Sequence, residues 1–382
     1  MDGVLWWDEA IYASMIRDLS RRLTLRFEMP YIGAMAYRPV LYPYLAALAC
    51  IATGGYSEAV VKVLTCALGV LAAIPVCQLA RKLSGGKAGL IAVASLLFMP
   101  VHVFYGSRLL VNVVEATFLS AGFYFAYQAV CRLSSPYALL SGLAMGLACS
   151  TRYTAILSPF IASAWALTTR KTEVLRLAPS FLAGLLAGLA PTLAVSQVVY
   201  GSPISCFLVA FNVVQHDVPV STARFLADTV AGLNPVLFLL AFLGVALTVK
   251  QHDRGGLLVL LWFLAYLVVF CFLTHKEARF MVSCSPAVAV LASIPFKRLL
   301  SKKMATALFI IALLAPQPVI AYKLSGRRSL GLHVAEAARY VSSRTRPWEG
   351  VLSNNYPVVR YYSDRPVVQF WPSPNQTLKA LK

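Results

Sequence analysis

Residues 254–296 read RGGLLVLLWFLAYLVVFCFLTHKEARFMVSCSPAVAVLASIPF. Two apolar stretches, 256–273 and 280–296, are each long enough to cross a hydrocarbon layer of about 30 Å, given some tilt. Between them the polar residues of HKEARF, 275–280, leave room only for a tight turn. This is the pattern of a membrane helical hairpin, and it repeats along the chain. Further spans are expected at 59–80, 88–105, 111–130, 137–150, 154–168, 178–199, 234–249 and 304–322, about ten in all. The fourth and fifth of these in chain order are short enough to form one broken hairpin. The run VLYPYLAALACIATG at 40–54 is shorter still and begins among prolines, so it reads as a helix lying in or dipping into the interface.

Composition agrees. Of 382 residues, 59% are hydrophobic and 13% charged, against about a quarter charged in an ordinary soluble domain. The fold class is therefore an all-α polytopic membrane protein. The net charge of +19 invites a nucleic-acid reading, but the basic residues are spread over separated loops, so nucleic acid is not an expected partner. Arg81, Lys82 and Lys87, then Arg132, then Arg170, Lys171 and Arg176, then Lys250 and Arg254, then Lys297, Arg298, Lys302 and Lys303 fall in alternate loops. The positive-inside rule assigns those loops to the cytoplasm. Residues 1–58, the 200–233 loop, HKEARF and everything after 323 then face outward. Three regions follow: a first outer loop (1–58), a transmembrane domain (59–322) and a partial extracytoplasmic α/β segment (323–382). In the last, 331–345 reads as an amphipathic helix, while GVLSN and RPVVQF read as short strands around a turn-rich NYPVVRYYSD. So short a segment needs the membrane part to pack against. The eight cysteines form no C-x-x-C pair and read as packing residues.

The outward loops hold the candidate chemistry. Asp8 and Glu9 follow Trp6 and Trp7 and open the stretch DEAIYASMIRDLSRRL. An acidic pair at the interface either serves a reaction or supplies negative charge to a helix N-terminus. Arg17, Arg21, Arg22 and Arg26 break the positive-inside rule, and their spacing sets three along one face, either resting on lipid phosphates or simply solvated. Arg38 sits on a proline-stiffened loop, as a bidentate phosphate ligand or an interfacial anchor. Arg152, near hydrocarbon, needs an acid such as Glu115 or an anionic ligand. Glu115 lies within a span, as a functional group or half of an internal salt bridge. His275, Lys276, Glu277 and Arg279 crowd one short loop, as a phosphate clamp or a polar hairpin cap. Asn375, in NQT, fits a glycosylation acceptor pattern. There is no D-x-D motif.

The segments DEAIYASMIRDL, RPVLYPYLAAL, STRYTAILSPF and KEARFMVSCSPAVAVLAS resemble the GT-C superfamily of polytopic glycosyltransferases, of the protein mannosyltransferase and aminoarabinose transferase type. HKEARF also resembles the signature of dolichol-phosphate-mannose-dependent α-mannosyltransferases. The resemblance runs from residue 6 to about 296. It implies transfer of a mannose-like hexose, with inversion, from a polyprenyl or dolichyl phosphate to a glycan, protein or lipid acceptor. The site would be extracytoplasmic and the enzyme multi-pass in the plasma membrane, among membrane lipids. It implies that Asp8 is the base, that Glu9 orients it or meets the acceptor, and that His275, Lys276 and Arg279 face the donor phosphate. Arg38 matches the basic residue of a KPP-type motif, though Val40 replaces its second proline, and Arg152 joins the phosphate-binding set. Glu115 and Glu277 are possible substrate contacts. No cofactor is implied and no divalent metal is expected, because cationic side chains can neutralise a lipid-phosphate leaving group. The same family places a span before the acidic pair, and PNQTLKALK stops in the middle of the family's outer domain, so a chain longer at both ends is expected. A non-enzymatic transporter or lipid flippase is the alternative, but polar groups gathered at the outer surface fit it less well than groups near the midplane.

Overall fold

Nearly all regular structure in the computed structural model is helical; it describes residues 5–23, 38–215, 219–297, 302–316, 318–319 and 332–369. Arg26, Arg298 and Asn375 lie outside the described residues. The chain starts with α1 (Trp7–Arg21), then α2 (Leu41–Ala52), α3 (Glu58–Leu71), α4 (Ala73–Ser84), α5 (Gly86–Leu97) and α6 (Pro100–Gly106). It continues through α7 (Asn112–Arg132), α8 (Ser135–Thr151), α9 (Leu157–Arg170), α10 (Ala178–Tyr200), α11 (Ser205–Gln215), α12 (Thr222–Gly232), α13 (Pro235–Lys250), α14 (Arg254–Phe272), α15 (Ser285–Ser293) and α16 (Lys302–Leu314). The tail holds α17 (Leu332–Arg344), β1 (Val351–Ser353), α18 (Tyr356–Ser363) and β2 (Val367–Gln369).

Four helical runs among the described residues, Glu58–Ser84, Tyr153–Tyr200, Arg254–Phe272 and Ala278–Phe296, are long and apolar enough to cross a bilayer. Counting each of two bent pairs as one span gives six. The protein is thus an integral membrane protein, but the expected ten spans are not all reproduced by this measure. The 111–130 and 137–150 segments do fold as α7 and α8. However, α7 keeps polar Asn112, Glu115 and Gln128 inside the fold, and α8 is 17 residues long. The expected interfacial helix is α2, whose 12 residues span only about 18 Å at 1.5 Å each.

The two bends have sequence causes. Between α5 and α6 the axis turns by 57°. Pro100 starts the second helix and Met99 before it is extended, as a residue preceding proline prefers. Between α12 and α13 the turn is 97°. There Asn234 takes φ 69° and its side chain accepts from the Val236 amide at 3.0 Å, with Pro235 following. The break expected between the fourth and fifth spans is real as well. Arg152 is extended at the end of α8, followed by a single 3-10 turn at Tyr153–Ile156 before α9.

The tightest crossing in the bundle joins α8 to α10. Gly142 and Gly146 face Gly184 and Gly188, so small residues four apart on each helix let the backbones meet. A Cβ at Gly142 would lie 2.0 Å from the Phe181 carbonyl oxygen, and one at Gly184 2.1 Å from that of Leu139. Ser150 extends the seam by donating to the Gly188 carbonyl at 2.9 Å. Large apolar side chains such as Leu90, Phe160, Leu239 and Phe272 remain exposed on the outside of the bundle, as lipid-facing residues should.

In the tail, the helix expected at 331–345 is α17, and the two expected strands pair in parallel with Val351 opposite Val367. The turn-rich reading of NYPVVRYYSD is corrected, because this stretch is α18. Parallel strands cannot be joined by a tight turn and need a crossing element, while Pro357 suits the first turn of a helix. The tail's own core is small, consisting of Ala338, Tyr356, Val359 and Val367. It packs on α1, as its size requires.

Candidate active site

Asp8 belongs to the first turn of α1, which places its carboxylate at the positive end of the helix dipole. Two guanidinium groups from distant segments close on it. Arg38 Nη2 donates to Oδ1 at 2.6 Å, and Arg279 Nη1 donates to Oδ2 at 2.5 Å. Burial alone would raise the pKa of Asp8, but the charges of Arg38 and Arg279 outweigh it and hold this carboxyl well below the usual carboxylate range. The second nitrogen of Arg279 continues the chain to Glu277 Oε1 at 2.7 Å, and His275 Nε2 meets the same oxygen at 2.8 Å. Arg38, Asp8, Arg279, Glu277 and His275 form one line of mostly alternating charge. Tyr12, one turn beyond Asp8 on the same face, stacks edge-on against Tyr42 at 5.8 Å. Burial pushes its hydroxyl up to about 12, so it remains a proton donor at neutral pH.

Glu9 is placed differently from its neighbour. Its carboxylate is buried and accepts from Arg108 Nη1 at 2.8 Å, from the Leu109 amide at 3.3 Å and from the Trp6 amide at 2.9 Å. The last bond closes the start of α1, and the others tie α1 to the loop between α6 and α7. The Arg108 guanidinium carbon lies over the Trp6 ring, 3.8 Å from its centroid. Sequence reading passed over Arg108, although it breaks the positive-inside rule just as Arg17 does.

Arg152 and Glu115 meet each other. Arg152 Nη1 lies 3.4 Å from Glu115 Oε2, and Ser283 Oγ donates to the same oxygen at 2.7 Å. Thr154 donates to the other oxygen at 3.3 Å. The internal salt bridge is therefore the arrangement the structure adopts. Arg152 also lies over the Phe280 ring at 4.4 Å, next to Arg279, and its charge reaches Asp8. Lys276, expected to face the donor phosphate, instead turns away from Asp8. Its ammonium donates to Thr222 Oγ1 at 2.9 Å and to the Cys271 carbonyl at 2.8 Å, pinning the loop to α12 and α14. Asn112 holds the same loop by donating to the Arg279 carbonyl at 3.1 Å. Arg17, read as a lipid-phosphate ligand, instead pairs with Asp364 at 2.9 Å, while Arg21 and Arg22 are exposed. Among the described residues no group of three or more His, Cys, Asp and Glu side chains converges as a metal ligand set would.

Asp8 is thus an anionic acid held between two arginines, with Tyr12 and Phe280 and a further guanidinium close by. The comparisons bear on the fold. The chain has the fold of the GT-C glycosyltransferases. ArnT from Cupriavidus metallidurans bound to undecaprenyl phosphate matches with a TM-score of 0.75 at 17% identity, over 100% of this chain and 84% of that one. Its apo form matches with a TM-score of 0.73 at 16% identity and the same coverage. The oligosaccharyltransferase AglB from Archaeoglobus fulgidus, in complex with an inhibitory peptide and a dolichol-phosphate, matches with a TM-score of 0.70 at 15% identity, over 98% of this chain and 61% of that one. Residues 37–197 match the family model described as dolichyl-phosphate-mannose-protein mannosyltransferase. No curated protein matches by sequence.

Proposed function

We propose that this protein is a polyprenyl-phosphate-dependent membrane glycosyltransferase that moves a mannose-like hexose, with inversion, to an acceptor hydroxyl on the extracytoplasmic side. The observation that carries the proposal is Asp8 held between Arg38 and Arg279. The family model over residues 37–197 and the fold shared with a structure holding undecaprenyl phosphate support a lipid-phosphate donor. The positions of basic loops in the sequence support an outward site.

The clamp suggests how donor binding readies the base. A donor phosphodiester is an anion of the kind guanidinium groups bind well, and it competes with Asp8 for Arg38 and Arg279. Once the arginines turn to the phosphate, Asp8 loses the charges that depress its basicity. It then takes the proton of the acceptor hydroxyl while that oxygen bonds to the anomeric carbon, on the face opposite the phosphate. The bond from the anomeric carbon to the phosphate oxygen breaks, and its electron pair leaves with the polyprenyl phosphate. The arginines meet the charge that develops there, which is the work a divalent ion does in other phosphoryl-linked transfers. Glu9 and Arg108 hold the helix that carries the base, and Lys276 holds the loop that carries Arg279. The acceptor is a glycan, protein or lipid hydroxyl.

The test is transfer from radiolabelled polyprenyl-phosphate mannose in proteoliposomes, with lipid and peptide fractions offered in turn as acceptor. Wild type should transfer and be indifferent to EDTA, and Asp8→Asn should lose at least about a hundredfold, the lower end of what a general base contributes. Full transfer by Asp8→Asn would overturn the role of Asp8. Vesicle uptake without any transfer would favour the transporter reading instead.

A further inference from the structure

The helix that carries Asp8, α1, is buried and ordered against two neighbours. One is α2, and the other is α18, 344 residues away in sequence where Arg17 meets Tyr361. Arg17 is the grip on the α18 side. It lies nine residues beyond Asp8, two and a half helical turns, which puts the two on opposite faces of α1. Arg17 Nη1 donates to the Tyr361 carbonyl at 3.3 Å, Nη2 pairs with Asp364 at 2.9 Å, and the guanidinium sits 5.3 Å over the Tyr361 ring. The Asp364 pair is largely exposed on the acid's side, so by itself it contributes little. The weight of the contact falls on Tyr361.

Tyr361 reaches onward from α1 to the bundle. Its hydroxyl donates to Glu58 Oε1 at 2.7 Å and lies 2.9 Å from the Tyr56 hydroxyl. Glu58 opens α3, the first helix of the Glu58–Ser84 membrane run, and its other oxygen is paired with Lys62 at 3.2 Å. One residue therefore touches the helix that carries Asp8 with its carbonyl and ring, and the first membrane helix with its hydroxyl. A surface contact made only for tail folding would not need to join these two elements. Tyr362, its neighbour, adds a bond in which its hydroxyl accepts from the Leu5 amide at 3.1 Å, just ahead of α1.

We propose that Tyr361 is a positioning residue for the reaction: through Arg17 on one side and Glu58 on the other, the extracytoplasmic tail sets the height and rotation of α1 and so aims Asp8 at Arg38 and Arg279. The proposal rests on the functional reading above for its catalytic consequence but not for its structural one. Tyr361 does not touch the reacting atoms, so it acts through geometry. Losing its hydroxyl should slow turnover without weakening donor binding, because Arg38 and Arg279 sit on other segments and a misaimed Asp8 competes less with the phosphate for them.

The test uses the full chain in nanodiscs, with Tyr361→Phe, Glu58→Ala and the conservative Glu58→Gln, whose carboxamide still accepts the tyrosine hydroxyl. Hydrogen exchange of the Trp7–Arg21 amides should quicken at least about tenfold in Tyr361→Phe and Glu58→Ala. It should stay within about twofold of wild type in Glu58→Gln, and α14 should be unchanged in all three. Unchanged exchange in α1, or an equal rise in every helix, would overturn the proposal. Should Tyr361→Phe fail to fold, the contrast between Glu58→Ala and Glu58→Gln decides it. In the transfer assay kcat should fall about tenfold with donor KM unchanged or lower, a split that points to misorientation and not to lost binding. A wild-type protein without transfer activity counts against the functional reading alone, and the exchange measurement still decides this one.

Discussion

Asp8→Asn is expected to abolish transfer and at the same time tighten binding of the lipid phosphate. Both arginines are occupied by the carboxylate, at 2.6 and 2.5 Å, with side chains no more than 20% exposed. Each such pair, with charge centres about 4 Å apart and an effective dielectric near 20, is worth roughly 4 kcal/mol of Coulomb attraction before desolvation is counted. A phosphate entering the clamp forfeits that attraction and gains its own. In Asp8→Asn it forfeits only a neutral hydrogen bond. Because desolvation and water in the clamp cancel most of the Coulomb term, the net advantage should be about 1.4–2.8 kcal/mol, a 10- to 100-fold lower Kd. The assay is titration of undecaprenyl phosphate into wild type and Asp8→Asn in nanodiscs, with the double variant Arg38→Met/Arg279→Met as a control that should not bind specifically. Equal or weaker binding by Asp8→Asn would show that carboxylate and phosphate do not share the arginines, and the exchange of counterions would fall with it.

The remaining expectations are narrower. The depressed pKa of Asp8 means that its ion pairs contribute stability fully above the ordinary carboxylate range and lose it only as pH falls below about 4. Melting of the unliganded protein should therefore show no Asp8-dependent change between pH 5 and 8, and a difference between wild type and Asp8→Asn that titrates in that window would contradict the clamp. Arg108→Met strands the buried Glu9 carboxylate and should cost about 3–5 kcal/mol, read as a lowered unfolding midpoint, whereas Glu9→Gln should keep transfer within about tenfold if Glu9 serves α1 and not the acceptor. Gly184→Leu drives a side chain into the Leu139 carbonyl and should prevent the close approach of α8 and α10, read as loss of folded protein in detergent; normal yield would refute that crossing.

What is legible in the sequence, and what is hidden, divides along physical lines. Long apolar runs are properties of the chain taken locally, and they report the membrane fold and the short α2 without any tertiary knowledge. Arg38, Asp8 and Arg279 can be nominated because a charge at the bilayer edge is costly enough to demand a purpose. Direction is different. Lys276 and Arg279 share one six-residue loop, yet one reaches back to the Cys271 carbonyl and the other forward to Asp8. That choice depends on where α12 and α1 lie, which the loop's sequence does not encode. Asp8 and Glu9 are adjacent, and the 100° between successive helical positions sends them to different partners. The α18 segment reads as turn because Asn355, Pro357, Ser363 and Asp364 punctuate it, and a helix this short has the same residues at its ends as a turn. The parallel pairing of β1 with β2, a non-local fact, is what demands a helix there. The glycines of α8 and α10 carry a readable small-residue spacing at 142/146 and 184/188, which a search for charge passes over.

The separation of the clamp's parts bears on how the site is assembled. Asp8 and Arg38 are 30 positions apart, but Asp8 and Arg279 are 271 apart, and Tyr361 meets Glu58 across 303. During synthesis α1 emerges long before the HKEARF loop and waits for most of the bundle until its second arginine exists. Until then Asp8 has one counterion and α1 lacks its α18 partner on the Arg17 face. Its 15 residues are marginal for holding a helix by propensity alone. The clamp is thus complete only once the HKEARF loop and the tail have been made. Two variants that weaken α1 through different partners, Arg279→Met and Tyr361→Phe, should therefore be non-additive in α1 exchange. Once either partner is gone the helix already samples open states, and the second loss has less order left to remove. Strict additivity of the two would mean that α1 is held by independent contacts, and the cooperative picture of the site would be wrong.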